Sequence, residues 1–251
     1  MKLTVLGSGY YIPMVNRNNS GYLLEIGSES VLLDTGSGTL RQLIKGGYSI
    51  WDISKIFYSH LHIDHLADLL PVLFTRKYSQ PNRGKGELLL FGHDDLQKII
   101  TGFEDLFNQW IIHNKYKYQC HCLMHGKYNF DSFNLVVYQG NHADQSLMYR
   151  FEDSTGKTLL YTGDTDLSDE LFEAADGVDV LLTELSSTNE ESANGHLSPI
   201  KISQLLDKCR PKVTILSHLS PETEKITIID AINVPSNCVV ELAEDLKVWK
   251  I

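Results

Sequence analysis

Residues 59–65 read Ser-His-Leu-His-Ile-Asp-His, so His60, His62, Asp64 and His65 put four metal-ligating side chains into seven positions. Imidazoles and a carboxylate at that density repel one another when charged and are poorly solvated when buried. A divalent cation resolves both problems. An apolar run, Ile53 to Tyr58, leads into the segment and reads as a buried strand. His60, His62 and Asp64 fall at i, i+2 and i+4, which in extended chain puts them on one face. His65 breaks that parity, so a turn is expected there. Leu66 to Tyr78 reads as a mostly apolar helix after the turn, bent near Pro71.

Three more candidates follow. His142 comes after the strand-like run Phe133 to Gln139. Asp164 sits in Leu-Leu-Tyr-Thr-Gly-Asp-Thr, residues 159–165, an apolar run that ends in a glycine turn. His218 ends the β-rich run that starts at Val213. Each lies just past the C-terminal end of a predicted strand. Several strands of one sheet are therefore expected to deliver ligands to one edge, where sites in α/β folds form.

With these residues assembled, the chain resembles the metallo-β-lactamase superfamily, whose motif is His-x-His-x-Asp-His followed by a distant His, a distant Asp and a final His. The similarity runs from Leu6-Gly7-Ser8-Gly9 to His218. It implies an α/β fold, the four-layer αββα sandwich built from two similar halves. It also implies two divalent metal ions. His60, His62 and His142 would hold one, Asp64, His65 and His218 the second, and Asp164 would bridge them. The all-His/Asp set suits zinc, with Mn2+ and Fe2+ as compatible ions. Asp34, in Leu-Leu-Asp-Thr-Gly, is expected beside the site, bonded to a histidine ligand or a loop amide. Gly36 would permit the turn that follows.

Further residues point to one branch. Thr183-Glu184, then Gly195-His196-Leu197-Ser198, is similar to the ribonuclease Z and phosphodiesterase branch, where a Glu and a His-Ser-Thr-like motif form an acid relay; here the match is partial. The opening, residues 6–13 with Arg17-Asn18, is also similar to that branch. No Gly-His-Thr-x-Gly turn of the lactamase and glyoxalase type follows His142. Asp164 follows His142 by only 22 positions, in the interval where ribonuclease Z carries its tRNA-clamping arm. The resemblance thus implies a phosphodiesterase acting on a small phosphodiester or cyclic phosphate through a metal-activated hydroxide. Asp64 would accept the nucleophile's proton, and His196, oriented by Glu184, would protonate the leaving oxygen. The expected partner is a small anionic substrate, not tRNA and not a membrane; a homodimer is compatible. The same metals would also serve a lactone, thioester or sulfate-ester hydrolase, and iron-dependent oxidoreductases share the fold.

The rest of the chain agrees with a soluble, cytoplasmic enzyme. Its 251 residues suit one domain, residues 1–251. No apolar stretch approaches the roughly 18–20 residues of a membrane helix, and the start shows no signal-peptide pattern. A net charge of −10 argues against nonspecific nucleic-acid binding. Arg76, Lys77, Arg83 and Lys85 flank the loop 79–84 and either attract an anion toward the site or simply solvate the surface. Cys120-His121-Cys122 with His125 lacks the usual two-residue gap between paired cysteines, and reads as structural rather than as a second zinc site. Helices are expected at 39–45, 94–110, 167–175 and 200–209. Strands are expected at 3–6, 21–26, 31–33, 88–91, 135–138, 147–151, 158–161 and 178–183, with 238–242 and 247–249 as a closing strand pair.

Overall fold

A computed structural model describes residues 1–78, 86–111, 117–190 and 193–251; Arg83 and Lys85 lie outside the described residues. Strand and helix alternate as the apolar runs demand. The first half carries β1 (Lys2–Gly7), β2 (Gly21–Ile26), β3 (Glu29–Thr35), α1 (Thr39–Lys45), β4 (Lys55–Phe57), α2 (Ile63–Leu66), α3 (Leu69–Tyr78), β5 (Leu88–Gly92), α4 (Asp95–Ile111) and β6 (Tyr118–Cys122). The second carries β7 (Gly126–Asn129), β8 (Phe133–Gln139), β9 (Leu147–Asp153), β10 (Thr158–Tyr161), α5 (Asp169–Ala175), β11 (Val180–Glu184), α6 (Pro199–Cys209), β12 (Val213–Ser217) and β13 (Val239–Leu242). β14 (Val248–Lys250) closes the chain.

The strands form two 7-stranded sheets, ordered β14-β1-β2-β3-β4-β5-β6 and β13-β12-β11-β10-β9-β8-β7. Why the strands read as nearly continuous apolar runs is clear from their two faces. Leu24, Val31, Leu33, Leu159, Tyr161 and Leu182 point into the core between the sheets. Their neighbours Leu23 and Leu32 pack under the helices of the first sheet. Leu160 and Leu181 do the same under α5 and α6 of the second. Both faces of each sheet are thus covered, giving helix, sheet, sheet, helix.

Several expectations need correction. The closing strands do not pair with each other: β13 joins β12 in the second sheet and β14 joins β1 in the first. The helix expected from Leu66 starts at Ile63, breaks after Ala67 and restarts at Leu69. Pro71 explains the break. Its ring would clash with the Ala67 carbonyl and it has no N–H to give it, so the helix cannot run through. The helix expected at 167–175 starts at Asp169, because the Ser168 hydroxyl caps it by accepting from the Leu171 amide. Arg76 is no surface cation. It is 2% exposed, donates to the carbonyls of Ile50, Ile53 and Gly86, and lies over the Trp51 ring. Among the described residues no helix is long and apolar enough to cross a membrane.

Candidate metal centre

The candidate ligands come from both sheets, not from one. His60, His62, Asp64 and His65 follow β4 of the first; His142, Asp164 and His218 follow β8, β10 and β12 of the second. The two sheets face each other across their shared core, and the loops after these strands bring the seven side chains together. Extended chain carries His60 and His62 only. The backbone turns helical at Ile63, so Asp64 and His65 sit together in the short α2, and the one-face parity expected for Asp64 does not apply.

Gly36 and Gly163 make this convergence possible. A Cβ at Gly36 would lie 2.1 Å from the Asp64 carbonyl oxygen, so the need there is close approach rather than a special turn angle. At Gly163, beside Asp164, φ is +56° and a Cβ would lie 2.4 Å from that of Ser59.

Three ring nitrogens face one another on one side of Asp164. His60 Nε2 and His142 Nε2 each lie 3.1 Å from His62 Nδ1. One shared proton can satisfy only one such pair. A cation bound at about 2.0–2.1 Å to each nitrogen would satisfy all three, since tetrahedral ligands at that length are about 3.3 Å apart. On the other side, Asp64 Oδ2 lies 3.1 Å from His218 Nε2 and 3.7 Å from His65 Nε2. Asp164 stands between them. Its Oδ1 is 3.4 Å from His65 Nε2 and from His218 Nδ1, while Oδ2 is 3.8 Å from His60 Nε2 and 4.0 Å from His142 Nε2.

His65 Nε2, Asp164 Oδ1 and His218 Nδ1 are buried with no hydrogen-bond partner. Burying unpaired polar atoms costs free energy, and three aimed at one point call for a ligand among them. The donor set and these orphan atoms fit a pair of divalent cations, and grouped ligand atoms within 4.8 Å recur on both sides: His60, His62 and His142, and Asp64, His65 and His218.

The remaining nitrogens are held from behind. Asp34, fully buried at a left-handed φ of +56°, accepts from the Ser59 amide at 2.7 Å, from the Ser59 hydroxyl at 2.6 Å and from His65 Nδ1 at 2.7 Å, and also from the Tyr161 hydroxyl. Ser59 Oγ in turn accepts from His60 Nδ1 at 3.1 Å. His142 Nδ1 donates to the Gly195 carbonyl at 2.9 Å. Each bond fixes a tautomer that turns Nε2 toward the centre. Sequence reasoning placed Asp34 here but passed over Ser59, Tyr161 and Gly195. Ser59 opens the motif itself and was the legible one; the others are brought in by tertiary contact.

His196 completes the rim. Its ring is 4.6 Å from that of His142 and stacks parallel to His218 at 6.3 Å. Nδ1 donates to Glu184 at 3.0 Å, and Glu184, 2% exposed, also accepts from the Thr165 amide at 2.9 Å and from the Ser186 hydroxyl. Burial works against charge on His196, but the bond and charge of Glu184, with the charges of Asp164 and Asp166, outweigh it and push its pKa up to about 9. Burial also opposes ionisation of Asp64. The bond to His218 and the charges of His65 and His218 prevail there, holding its carboxyl at about 2. Burial and the neighbouring His65 hold His60 well below the ordinary imidazole range. Cys120 and Cys122 share one face of β6 while His125 packs edge-on against Tyr138, and among the described residues the three form no ligand group.

A family model for the anti-Pycsar protein Apyc1 matches residues 1–232. The chain belongs to that family. Within the wider metallo-β-lactamase superfamily, this Apyc1-family chain is 27% identical over 224 residues to the probable metallo-hydrolase YhfI of Bacillus subtilis, covering 87% of each chain. It is 26% identical over 278 aligned positions to ribonuclease Z of Brevibacillus brevis, covering 89% of this chain and 86% of that one. The crystal structure of YhfI superposes with a TM-score of 0.81 at 23% identity, covering 99% and 98% of the two chains. Human tRNase Z, short form, gives 0.83 at 23% identity, covering 100% and 99%. These likenesses make the chain a member of a metallo-hydrolase superfamily with the αββα fold.

Proposed function

We propose that the chain is a dinuclear metal-dependent phosphodiesterase that hydrolyses a small phosphodiester or cyclic phosphate. The observation that carries this reading is the pairing of a bridged His/Asp cluster with an imidazole outside it, His196, whose Nδ1 is tied to a buried carboxylate. His60, His62 and His142 would hold one cation, Asp64, His65 and His218 the other, with Asp164 between them. Such a pair supplies Lewis acidity and a nucleophile usable at neutral pH. Zinc suits the donors best.

The chain's own residues do the rest. Asp64 takes up the proton of the attacking water. His196 is protonated at neutral pH and donates from Nε2 to the leaving alkoxide, while Glu184 holds the ring and stabilises its charge. The likeness to ribonuclease Z supports phosphodiester chemistry. The interval from His142 to Asp164 argues against a tRNA substrate, because it holds β9, β10 and their turns and nothing that reaches outward.

A substrate panel tests this: bis(p-nitrophenyl) phosphate, a cyclic nucleotide, a lactone and a β-lactam. Turnover of the two phosphodiesters well above the others is expected. A lactone or β-lactam turned over with the higher kcat/KM overturns the reading.

A further inference from the structure

We propose that Asp245 is a positioning residue for the His218 side of the metal centre, an inference that rests on the metal reading above. His218 is a non-glycine residue at φ +52°, a left-handed conformation that persists only where the surroundings enforce it. The enforcement comes from the next residue. Leu219 donates its amide to the Ser8 carbonyl at 2.9 Å and accepts from the Tyr10 amide at 3.2 Å, with Gly9 bridged to Leu219 between them. His218 thus depends on the segment after β1 as well as on β12, which carries it between β11 and β13.

That segment is fastened by one carboxylate from the far end of the chain. Asp245 Oδ1 accepts from the Ser8 amide at 3.0 Å and its hydroxyl at 2.8 Å. Oδ2 accepts from the Asn18 amide and side chain, both at 2.8 Å, and from Gln42 at 2.9 Å. Five donors thus tie the strand turn 243–247, both ends of the loop after β1, and α1 to one group. Arg17 adds bonds from the same loop to Ser8 Oγ and to the Ala243 carbonyl. By contrast, the orienting bonds of His60 and His142 run to Ser59 and Gly195, outside this network. The consequence is asymmetric: loosening Asp245 should weaken the Asp64/His65/His218 site and spare the His60/His62/His142 site.

The test compares Asp245→Asn with the natural protein. The amide keeps one acceptor oxygen and turns an NH2 toward the donors on the other side, so half of the tie is lost with little change of volume. Zinc uptake is titrated against a competing chelator, and amide hydrogen exchange is followed without metal. The expected result is an unchanged first zinc affinity, a second one about 10–100-fold weaker, in the range for groups that orient ligands, and at least tenfold faster exchange at the Leu219 and Tyr10 amides with none at Thr162. Ser8→Ala, which removes only a hydroxyl, should move both readouts the same way by a few-fold, and it decides the matter if Asp245→Asn does not fold. Unchanged exchange at Leu219, or equal weakening of both zinc sites, overturns the proposal. Fewer than two zinc ions on the natural protein would overturn the metal reading instead, and the exchange result would still decide the role of Asp245.

Discussion

His196→Ala should divide substrates by their leaving groups. In the folded protein the ring is placed before substrate arrives: Nδ1 is tied to Glu184 at 3.0 Å and 3.1 Å, and its faces are lined by His142 and His218. Glu184 pushes its pKa up to about 9, so the protonated ring predominates at pH 7. A positioned general acid contributes about 10²–10⁴-fold, or about 2.7–5.4 kcal/mol. The full factor should be lost from kcat for a phosphodiester with an alkoxide leaving group. A p-nitrophenolate needs little protonation, so its loss should be about tenfold or less. Stability should fall by only about 1–2 kcal/mol, because Glu184 keeps the Thr165 amide and Ser186 as donors. The assay is kcat for a cyclic nucleotide and for bis(p-nitrophenyl) phosphate, with metal content measured on the same samples. Equal losses on both substrates at unchanged metal content would refute the acid role and leave His196 as a positioning group.

Elemental analysis of the purified protein should find two divalent ions per chain, zinc foremost, and Asp164→Ala should lower occupancy at both sites because its two oxygens face both triads. Asp34→Ala should destabilise the metal-free protein by about 3–5 kcal/mol, since four donors lose a buried acceptor, and calorimetry should show its melting temperature down by roughly 10 °C. Asp34→Asn should be milder, because asparagine tolerates the left-handed backbone; a milder alanine variant would contradict this account. Glu184 raises the His196 pKa, so acid-dependent activity is present below that pKa and lost as pH rises through it. Glu184→Gln should move the alkaline limb of the kcat–pH profile down by about one unit, and an unmoved limb would detach His196 from that limb. A 3′-extended precursor tRNA should show a far lower kcat/KM than a small phosphodiester; efficient cleavage at the discriminator base would disprove the exclusion drawn from the His142–Asp164 interval.

Much of the architecture was legible because both faces of each sheet are covered. Val31, Leu32 and Leu33 alternate between the inter-sheet core and the helix layer, so the run is apolar at every position and reads as a buried strand. The clustering of the candidate ligands was legible for a similar reason, since few uses other than metal binding accommodate His60, His62, Asp64 and His65 together. What escaped is what depends on partners distant in sequence. The i, i+2, i+4 spacing of His60, His62 and Asp64 fits extended chain as well, and nothing local to it announces that α2 begins at Ile63. Arg76 looked like a free cation because nothing in its neighbourhood of sequence announces the carbonyls of Ile50 and Ile53. The tail strands were paired with each other because sequence proximity favours hairpins, whereas each completes a different sheet.

The two halves of the centre are not independent, and the reason lies in Asp34. Its carboxylate orients His65 directly and His60 through the Ser59 hydroxyl, so one buried group sets a candidate ligand on each side of Asp164. A chain of donors ordered in this way has a single direction: His60 gives its Nδ1 proton to Ser59, Ser59 gives its own to Asp34, and His65 gives its Nδ1 proton to the same oxygen. Reversing any link would leave a proton on an Nε2 that faces the cations. Asp34 thus does for two imidazoles what each would otherwise need its own acidic side chain to do. Asp34 adopts a left-handed backbone at φ +56°, and from there one residue orients candidate ligands on both sides of Asp164.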